Sequence, residues 1–267
     1  KLKATSGSLT QALSSTITVN PGSTSKIGVS TQPSSSGVAG INFSTQPVFL
    51  IQDTFGNTVT GDSSTSVTIA AVLSSDGTTA GGGTLSATTN PVTASSGVAT
   101  FAGVNYTKAE DIKLKPTATG LTQVLTNTIS VSAATASKLS FSTQPSSSAI
   151  AGTNFSTQPV VQILDAYDNL TSGTNAITLS AVLASDGTTA GGGTLNATTN
   201  PLSATAGTAT FAGINYTSAE DIKLKATTTG FTQTLSTTIT VSALAISSVA
   251  ASTTSSTATI TWTTNTN

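Results

Sequence analysis

The strongest constraint on this chain is that it contains one unit twice. Residues 25–135 and 137–244 are copies of a sequence of about 110 residues, a period that matches one autonomous domain per copy. The run SDGTTAGGGTL at 75–85 returns unchanged at 185–195. The repetition predicts domains joined in series rather than one large core.

Both ends of the chain depart from this unit. Residues 1–19 align with 113–131, the last two strands of a copy, so we expect the chain to open on the end of a preceding copy. The sequence contains no Met and no charged-then-apolar leader, and we expect a portion of a longer protein. The predicted domains are a partial repeat at 1–24, full repeats at 25–134 and 135–243, and a different partial domain at 244–267.

Charge and composition exclude several classes of partner. Nine lysines and ten carboxylates leave a net charge of −1, and His, Cys and Arg are absent. Such a surface has no field to attract nucleic acid or an anionic membrane. No apolar run approaches the roughly 20 residues that cross a bilayer, so we expect no membrane insertion in this segment. Ser and Thr make up roughly a third of the residues, which favours an extracellular microbial protein without disulfides.

Alternating apolar residues predict strands in each copy. Residues 66–73 place an apolar side chain at every second position from Val67 to Leu73, and that face must be buried. Phe101 and Leu125 are among the side chains predicted to point inward, and Lys113 and Lys115 are predicted to lie on the solvent face. The other strands predicted in the first copy are 48–53, 97–106, 111–117 and 124–131.

Gly, Asn and Pro residues lie between these strands, as tight turns require. Seven to nine short strands per copy, without helical periodicity, predict an all-β fold of two-sheet antiparallel sandwiches. The second copy is two residues shorter between its counterparts of Asn57 and Ser66, which predicts an exposed loop at 58–66.

The pattern QPVFLIQDTFGN, followed by GVATFAGVNYT, IKLKPTATG and NTISVSA, resembles a known family. It is similar to the bacterial immunoglobulin-like domains that occur in tandem in surface adhesins, invasin-like proteins and exported polymers. The resemblance covers residues 1 to about 243 and implies tandem antiparallel immunoglobulin-like β-sandwiches. The matching motifs include no catalytic residue.

The last residues leave the repeat. Residues 246–262 resemble the first two strands of a fibronectin type III domain, a family in which the residue corresponding to Trp262 packs in the core. A polar tail is the alternative, but the alternation of Ala258, Ile260 and Trp262 favours the start of a sandwich.

The residues offer few catalytic options, and we expect no enzyme activity. Nucleophilic triads, zinc sites and most general-base mechanisms use His or Cys. The adjacent Glu110 and Asp111 begin a predicted strand, where neighbours point to opposite faces and cannot converge on one bond. The glycines at 81–83 lack the Gly-Lys-Ser/Thr ending of a phosphate loop and predict a flexible turn.

Calcium is the one cofactor with a candidate site. Asp165, Asp168 and Asn169 offer three oxygen ligands to a cation that takes six to eight. In the first copy Gly56 replaces Asp168, so the alternative is a turn stabilised by Asp and Asn side chains.

Aromatic residues are too few to predict a sugar-binding platform. Tyr106 and Tyr216 precede turns and are predicted to be partly exposed, whereas Phe55 and Tyr167 lie beside turn residues. We expect each of the four to pack at the end of a sandwich rather than to bind a ligand.

Three functions fit these observations. A stalk or filament of tandem domains explains the duplication, the neutral surface and the missing catalytic residues together. An adhesive or carbohydrate-binding module would bind cell-surface glycans through loops such as 58–66. The third is an accessory region of a secreted enzyme.

Incomplete terminal domains would also allow head-to-tail pairing with an identical chain, and contacts that do not close on themselves build a filament. The alternative is that the chain was cut from a longer polypeptide.

Overall fold

The computed structural model describes residues 1–253 and 257–264. Contacts divide the chain into two compact units, residues 1–132 and 133–267. The described residues form strands, turns and loops, with no helix among them that is long and apolar enough to span a membrane. The prediction of an all-β fold is confirmed, and the four-part division of the sequence stays a prediction.

The first unit builds two main sheets. Its strands are β1 (Lys3–Ala4), β2 (Ala12–Leu13), β3 (Lys26–Thr31), β4 (Ser36–Val38), β5 (Val48–Gln52), β6 (Ser66–Leu73), β7 (Leu85–Ser86), β8 (Val92–Thr93), β9 (Val98–Thr100), β10 (Asn105–Tyr106), β11 (Asp111–Thr117) and β12 (Ile129–Ser132). One sheet has the order β3-β5-β9 and the other β4-β12-β11-β6-β8. Neighbouring strands are antiparallel except β4, which runs parallel to β12. β7 pairs with β10, and β1 pairs with β2.

The second unit repeats this topology. Its strands are β13 (Ala136–Thr143), β14 (Ser148–Ile150), β15 (Val160–Asp165), β16 (Ala176–Leu183), β17 (Leu195–Asn196), β18 (Leu202–Ser203), β19 (Thr208–Thr210), β20 (Asn215–Tyr216), β21 (Asp221–Thr227), β22 (Thr234–Leu235), β23 (Ile239–Ser242), β24 (Ile246–Thr253) and β25 (Ala258–Thr264). The sheets are β13-β15-β19 and β14-β23-β21-β16-β18, with β22 on β21. β17 pairs with β20, and β24 pairs with β25.

Each repeat packs its two sheets around one apolar core. In the second repeat, Ile163 of β15 and Leu224 of β21 come from different sheets and lie in the same buried cluster. In the first repeat, the rings of Phe49 and Phe101 meet edge to face with centroids 5.8 Å apart. Two sheets that are antiparallel except for one parallel edge pair, packed around a shared core, form a sandwich. The tandem immunoglobulin-like β-sandwich predicted from the sequence is therefore confirmed.

Two predicted strands differ in detail. Residues 97–106 form two short strands, because Gly103 adopts a φ of +65° and the chain then pairs with β7 instead of β5. In 124–131 the strand begins at Ile129, and Leu125 is only half-buried. Thr126 turns inward instead, and its hydroxyl accepts a hydrogen bond from Leu114 N at 2.9 Å.

The terminal hairpins stand apart from the two cores in the strand pairing. β24 and β25 pair only with each other among the described strands, as β1 and β2 do. Trp262 is 57% exposed, so it lacks the buried environment that the fibronectin resemblance implies. That resemblance stays a prediction, and part of the sequence that carries it, residues 254–256, lies outside the described residues.

Candidate functional site

A buried carboxylate organises the turn that follows β5. Asp53 accepts hydrogen bonds from the backbone N–H groups of Phe55 and Asn57 and from Asn57 Nδ2, each at 2.9 Å. Gly22, which precedes the first strand of the repeat, donates its N–H to Asp53 Oδ2 at 2.9 Å. The Asn57 side chain, followed by the Gly22 N–H, lowers the pKa of Asp53 to about 2. One carboxylate thus binds both the turn 53–57 and the chain that enters the repeat.

The second repeat builds the same network around Asp165. Its carboxylate accepts hydrogen bonds from Tyr167 N at 2.8 Å, Asn169 N at 2.9 Å and Asn169 Nδ2 at 2.9 Å. Ala134 N, at the position of Gly22, donates to Asp165 Oδ2 at 2.8 Å. Burial raises the pKa of Asp165, but the hydrogen bonds from Asn169, Ala134 and Tyr167 outweigh it, and the net pKa is lowered.

The three residues of the calcium hypothesis lie in this turn with other partners. Asn169 directs its amide nitrogen at Asp165, and Asp168 Oδ1 lies 2.8 Å from Lys138 Nζ. The described residues contain no group of three or more His, Cys, Asp or Glu side chains that could hold a metal. Calcium binding stays a prediction, and it requires Lys138 to leave Asp168 and Asn169 to turn its oxygen inward.

The same turns present aromatic rings to solvent. Phe55 is 88% exposed and Tyr167 is 44% exposed. The prediction that Phe55 packs at a sandwich end is therefore wrong, because only its backbone is held in the turn. Asp53 provides that restraint, through its hydrogen bond from Phe55 N.

A second network holds the glycine run of the first repeat. Tyr106 Oη accepts a hydrogen bond from Gly83 N at 2.7 Å and donates to Glu110 Oε1 at 2.5 Å. Gly82 N also donates to Glu110 Oε1, at 2.7 Å. A Cβ on Gly81 would lie 2.2 Å from Tyr106 Oη, so the close approach requires glycine. The predicted flexible turn is instead held by hydrogen bonds.

Tyr106 and Tyr216 are fully buried, contrary to the predicted partial exposure. Tyr216 repeats the network, accepting from Gly193 N at 2.6 Å and donating to Glu220. Burial, followed by the hydrogen bond to Glu110, raises the pKa of Tyr106 to about 12. The same causes, with Glu220 as the partner, raise the pKa of Tyr216. These tyrosines fix loops inside each sandwich.

The loop 58–66, proposed as a variable binding loop, has its own buried acceptor. Asp62 Oδ1 accepts hydrogen bonds from Ser64 N at 2.9 Å and Thr65 N at 3.0 Å. In the shorter loop of the second repeat, Thr171 Oγ1 donates to Ile163 O at 2.9 Å. The two repeats therefore close this loop with different polar groups.

The buried carboxylates of these turns act as hydrogen-bond acceptors for the fold. Sequence reasoning included Asp165 and Asn169 as a stabilised turn, but it missed Gly22 and Ala134. Both donate through the backbone, which carries no residue-type signal. The equal spacing of Gly22 to Asp53 and of Ala134 to Asp165, both 31 residues, is visible only after the contacts are known.

No protein-family model matches this chain, and no curated protein matches its sequence. Among solved structures, the chain is similar to the Yersinia pseudotuberculosis adhesin InvE, at 15% identity and a TM-score of 0.30 over 80% of this chain and 58% of that one. It is also similar to the D00-D0 domain of intimin, at 9% identity and a TM-score of 0.36 over 81% and 98% of the two chains. Domains 5-6 of the S-layer protein SbsC match at 16% identity and a TM-score of 0.29 over 84% and 99%. Likenesses this distant assign neither a family nor a function to this chain.

Proposed function

We propose that this chain is part of a non-catalytic extracellular structural protein, in which tandem immunoglobulin-like domains form a stalk or filament. The matched contacts from Gly22 N to Asp53 and from Ala134 N to Asp165 carry the proposal. Through them, each repeat binds the chain segment that enters it. A stalk needs fixed entry points of this kind, because free linkers let successive domains bend at random.

The linker between the repeats supports the same role. The carbonyl of Ser132 accepts a hydrogen bond from Ala39 N at 2.9 Å within the first unit. Ala134 donates to Asp165 within the second unit, and Ala133 lies between these two bonded residues. The linker 132–137 contains neither Gly nor Pro. We expect a linker this short to leave the two repeats little independent motion.

Nitrogen-15 relaxation of the whole chain tests this expectation. The two repeats should share one rotational correlation time, and inserting Gly-Gly-Ser-Gly after Ala133 should shorten it for each repeat. The matched control carries the same insertion after Thr119, in the exposed turn that follows β11. Independent tumbling of the repeats in the unmodified chain would contradict the stalk.

The proposed location outside the cell rests on the Ser- and Thr-rich composition, the net charge of −1 and the absence of Cys. An antibody raised against residues 25–243 should label intact cells of the source organism, and external protease should remove the label. Labelling that requires permeabilised cells would refute this location.

Head-to-tail assembly is a second proposal, and the β1–β2 hairpin favours it. Leu2 N donates to Ser14 Oγ at 2.9 Å, and Ser14 N donates to Leu2 O at 2.9 Å. Thr126 and Ser236 make the same pair of contacts inside the two complete repeats. The hairpin therefore keeps two hydrogen bonds that both complete repeats make at the same position.

The apolar side chains of residues 1–19 lack the burial of their counterparts. Leu2, Ile17 and Val19 are exposed, whereas Leu114 and Ile129 at the equivalent positions are fully buried. A sheet of a neighbouring domain, in the same or an identical chain, would cover these side chains by packing on them, and its strands would pair with the edge of the hairpin. Such contacts extend a filament when they do not close on themselves.

Light-scattering mass and negative-stain imaging across a range of concentrations test the assembly. The mass of chain 1–267 should grow with concentration and fibres should form, whereas deletion of residues 1–19 should leave monomers. A monomer at every concentration would refute head-to-tail pairing and leave the stalk unaffected.

An adhesin or carbohydrate-binding region of a larger surface protein is the alternative function, with cell-surface glycans as partners.

A further inference from the structure

The turn 53–57 holds an exposed ring on a fixed backbone. Phe55 is the most exposed large apolar side chain of residues 25–243. Its backbone N–H donates to Asp53 Oδ1 at 2.9 Å, and Gly56 N donates to Asp53 O at 3.1 Å. A ligand that contacts this ring has little backbone entropy to remove.

A cation lies against the backbone of this turn. Lys26 Nζ donates to Thr54 O at 3.3 Å, and it lies 3.8 Å from the point where a Cβ on Gly56 would stand. In residues 1–253 and 257–264, no carboxylate lies within ion-pair distance of Lys26. The turn therefore combines an exposed apolar ring with a lysine that makes no ion pair among the described residues, while the ionised Asp53 carboxylate is buried inside the turn and accepts N–H hydrogen bonds.

The second repeat keeps the ring and the lysine, and adds a carboxylate that pairs with the lysine. Tyr167 stands at the position of Phe55, and Lys138 Nζ donates to Ala166 O at 3.4 Å, as Lys26 does to Thr54. Asp168 replaces Gly56, and its Oδ1 lies 2.8 Å from Lys138 Nζ. The two turns thus differ in net charge while sharing their geometry.

We propose that the turn 53–57 binds an acidic saccharide. One face of a sugar ring packs on Phe55, and a carboxylate, sulfate or phosphate on that sugar pairs with Lys26 Nζ. Thr54, the exposed residue that precedes Phe55, suits a ligand that carries hydroxyl groups. The assignment rests on the extracellular role proposed for the chain and names a partner for it.

The size of the apolar surface favours a sugar over a protein. A phenylalanine side chain offers at most about 200 Å², whereas a stable protein interface buries about 800 Å² per partner. A single sugar ring matches the smaller area. We expect weak binding, with a dissociation constant on the order of 1 mM, because one ring and one ion pair carry it.

An NMR titration of nitrogen-15-labelled chain 1–267 tests the proposal, with a galacturonic acid trisaccharide as the probe and a neutral galactose trisaccharide as its match. The acidic probe should shift the amide signals of Lys26, Phe55 and Gly56, and the neutral probe should bind more weakly. Added salt should reduce the difference between the two, because it screens the ion pair. Equal binding of both probes, or shifts confined to other residues, would overturn the assignment.

Single substitutions separate the two contacts. Phe55→Ala should weaken binding about tenfold, which corresponds to about 1.4 kcal/mol, and the exposed ring can be removed without disturbing the core. Lys26→Gln should make the acidic and neutral probes bind alike. Tyr167→Ala is the matched control and should leave the signals of the first turn unchanged. Undiminished binding by Phe55→Ala would refute the role of the ring.

A gain of binding gives the sharper test. Asp168→Gly copies the first turn into the second repeat and releases Lys138 from its ion pair, so the acidic probe should then also shift the signals around Tyr167. The backbone accepts this change, since Asp168 has a φ of +66°, a region that favours glycine. If neither probe binds and Phe55→Ala instead changes the sedimentation of the chain, the turn is a protein contact and the saccharide proposal fails. Cell-surface labelling would be unaffected, so this failure is distinguishable from failure of the extracellular role.

Discussion

Replacing Asp165 with Ala removes the acceptor of four hydrogen bonds from the second repeat. Tyr167 is exposed and Ala134 is half-buried, so their N–H groups regain water once the carboxylate is gone. Asn169 is 1% exposed, and its N–H and Nδ2 lose a buried acceptor. At about 1–3 kcal/mol for each buried donor, the free energy of unfolding of this repeat should fall by about 4 kcal/mol.

Urea denaturation of the labelled full chain measures this loss repeat by repeat. With a slope of about 2 kcal/mol per molar urea, the midpoint of the second repeat should fall by about 2 M while that of the first stays constant. Hydrogen exchange at Ala134 should accelerate, and exchange at Gly22 should stay the same. Asp165→Asn keeps the side-chain size and one acceptor oxygen, so its loss should be smaller. An unchanged midpoint for the second repeat would refute the carboxylate-centred network.

Three further predictions concern the tyrosines and the core. Tyr216→Phe deletes the acceptor of Gly193 N–H and keeps the ring, so the free energy of unfolding of the second repeat, measured with urea, should fall by about 1–3 kcal/mol. An unchanged free energy of unfolding would contradict this role of the hydroxyl. Phe211→Ala empties a fully buried position and should cost that repeat about 3–5 kcal/mol; a calorimetric transition that keeps its midpoint would argue against a packed core there. Folding raises the pKa of Tyr106 from 10.0 to about 12, so the protonated hydroxyl stabilises the first repeat. This stabilisation is fully present below pH 10.0 and is lost as the pH rises through about 12. The urea midpoint of the first repeat should therefore be lower at about pH 11 than at about pH 9, and Tyr106→Phe should abolish this difference. A difference that persists in Tyr106→Phe would show that another group causes it.

Local alternation predicted the bounds of the strands that have one buried face, although in β6 it placed Ala71 and Leu73 inward where Val72 is the buried side chain. Residues 66–73 and 111–117 match the bounds of β6 and β11, because apolar side chains at every second position are paired across the two strands. The predicted strand 97–106 failed at Gly103, whose positive φ takes the chain out of one sheet. Leu125 failed as a core residue because the Thr126 hydroxyl bonds inward to Leu114 N.

The side-chain networks depended on contacts that are distant in sequence. Tyr106 is buried because its hydroxyl meets Gly83, 23 residues away, and alternation alone does not predict that meeting. The sequence did contain a signal for this network, because the glycine run and the Tyr-to-Glu spacing of four residues both recur in the second copy. Phe55 was expected to pack because large apolar residues are mostly buried, but the turn restrains its backbone and leaves the ring outside.

Single-molecule force extension of chain 1–267 tests most directly whether this is a stalk of separately folded repeats. Each repeat of about 110 residues should unfold in one step that lengthens the chain by about 35 nm, given about 3.6 Å per extended residue and the length of the folded sandwich. A stalk of separately folded repeats should give two such steps of equal length. One larger step would mean that the repeats unfold as a single unit, and extension without steps would mean that they bear no force; either result would rule out this organisation.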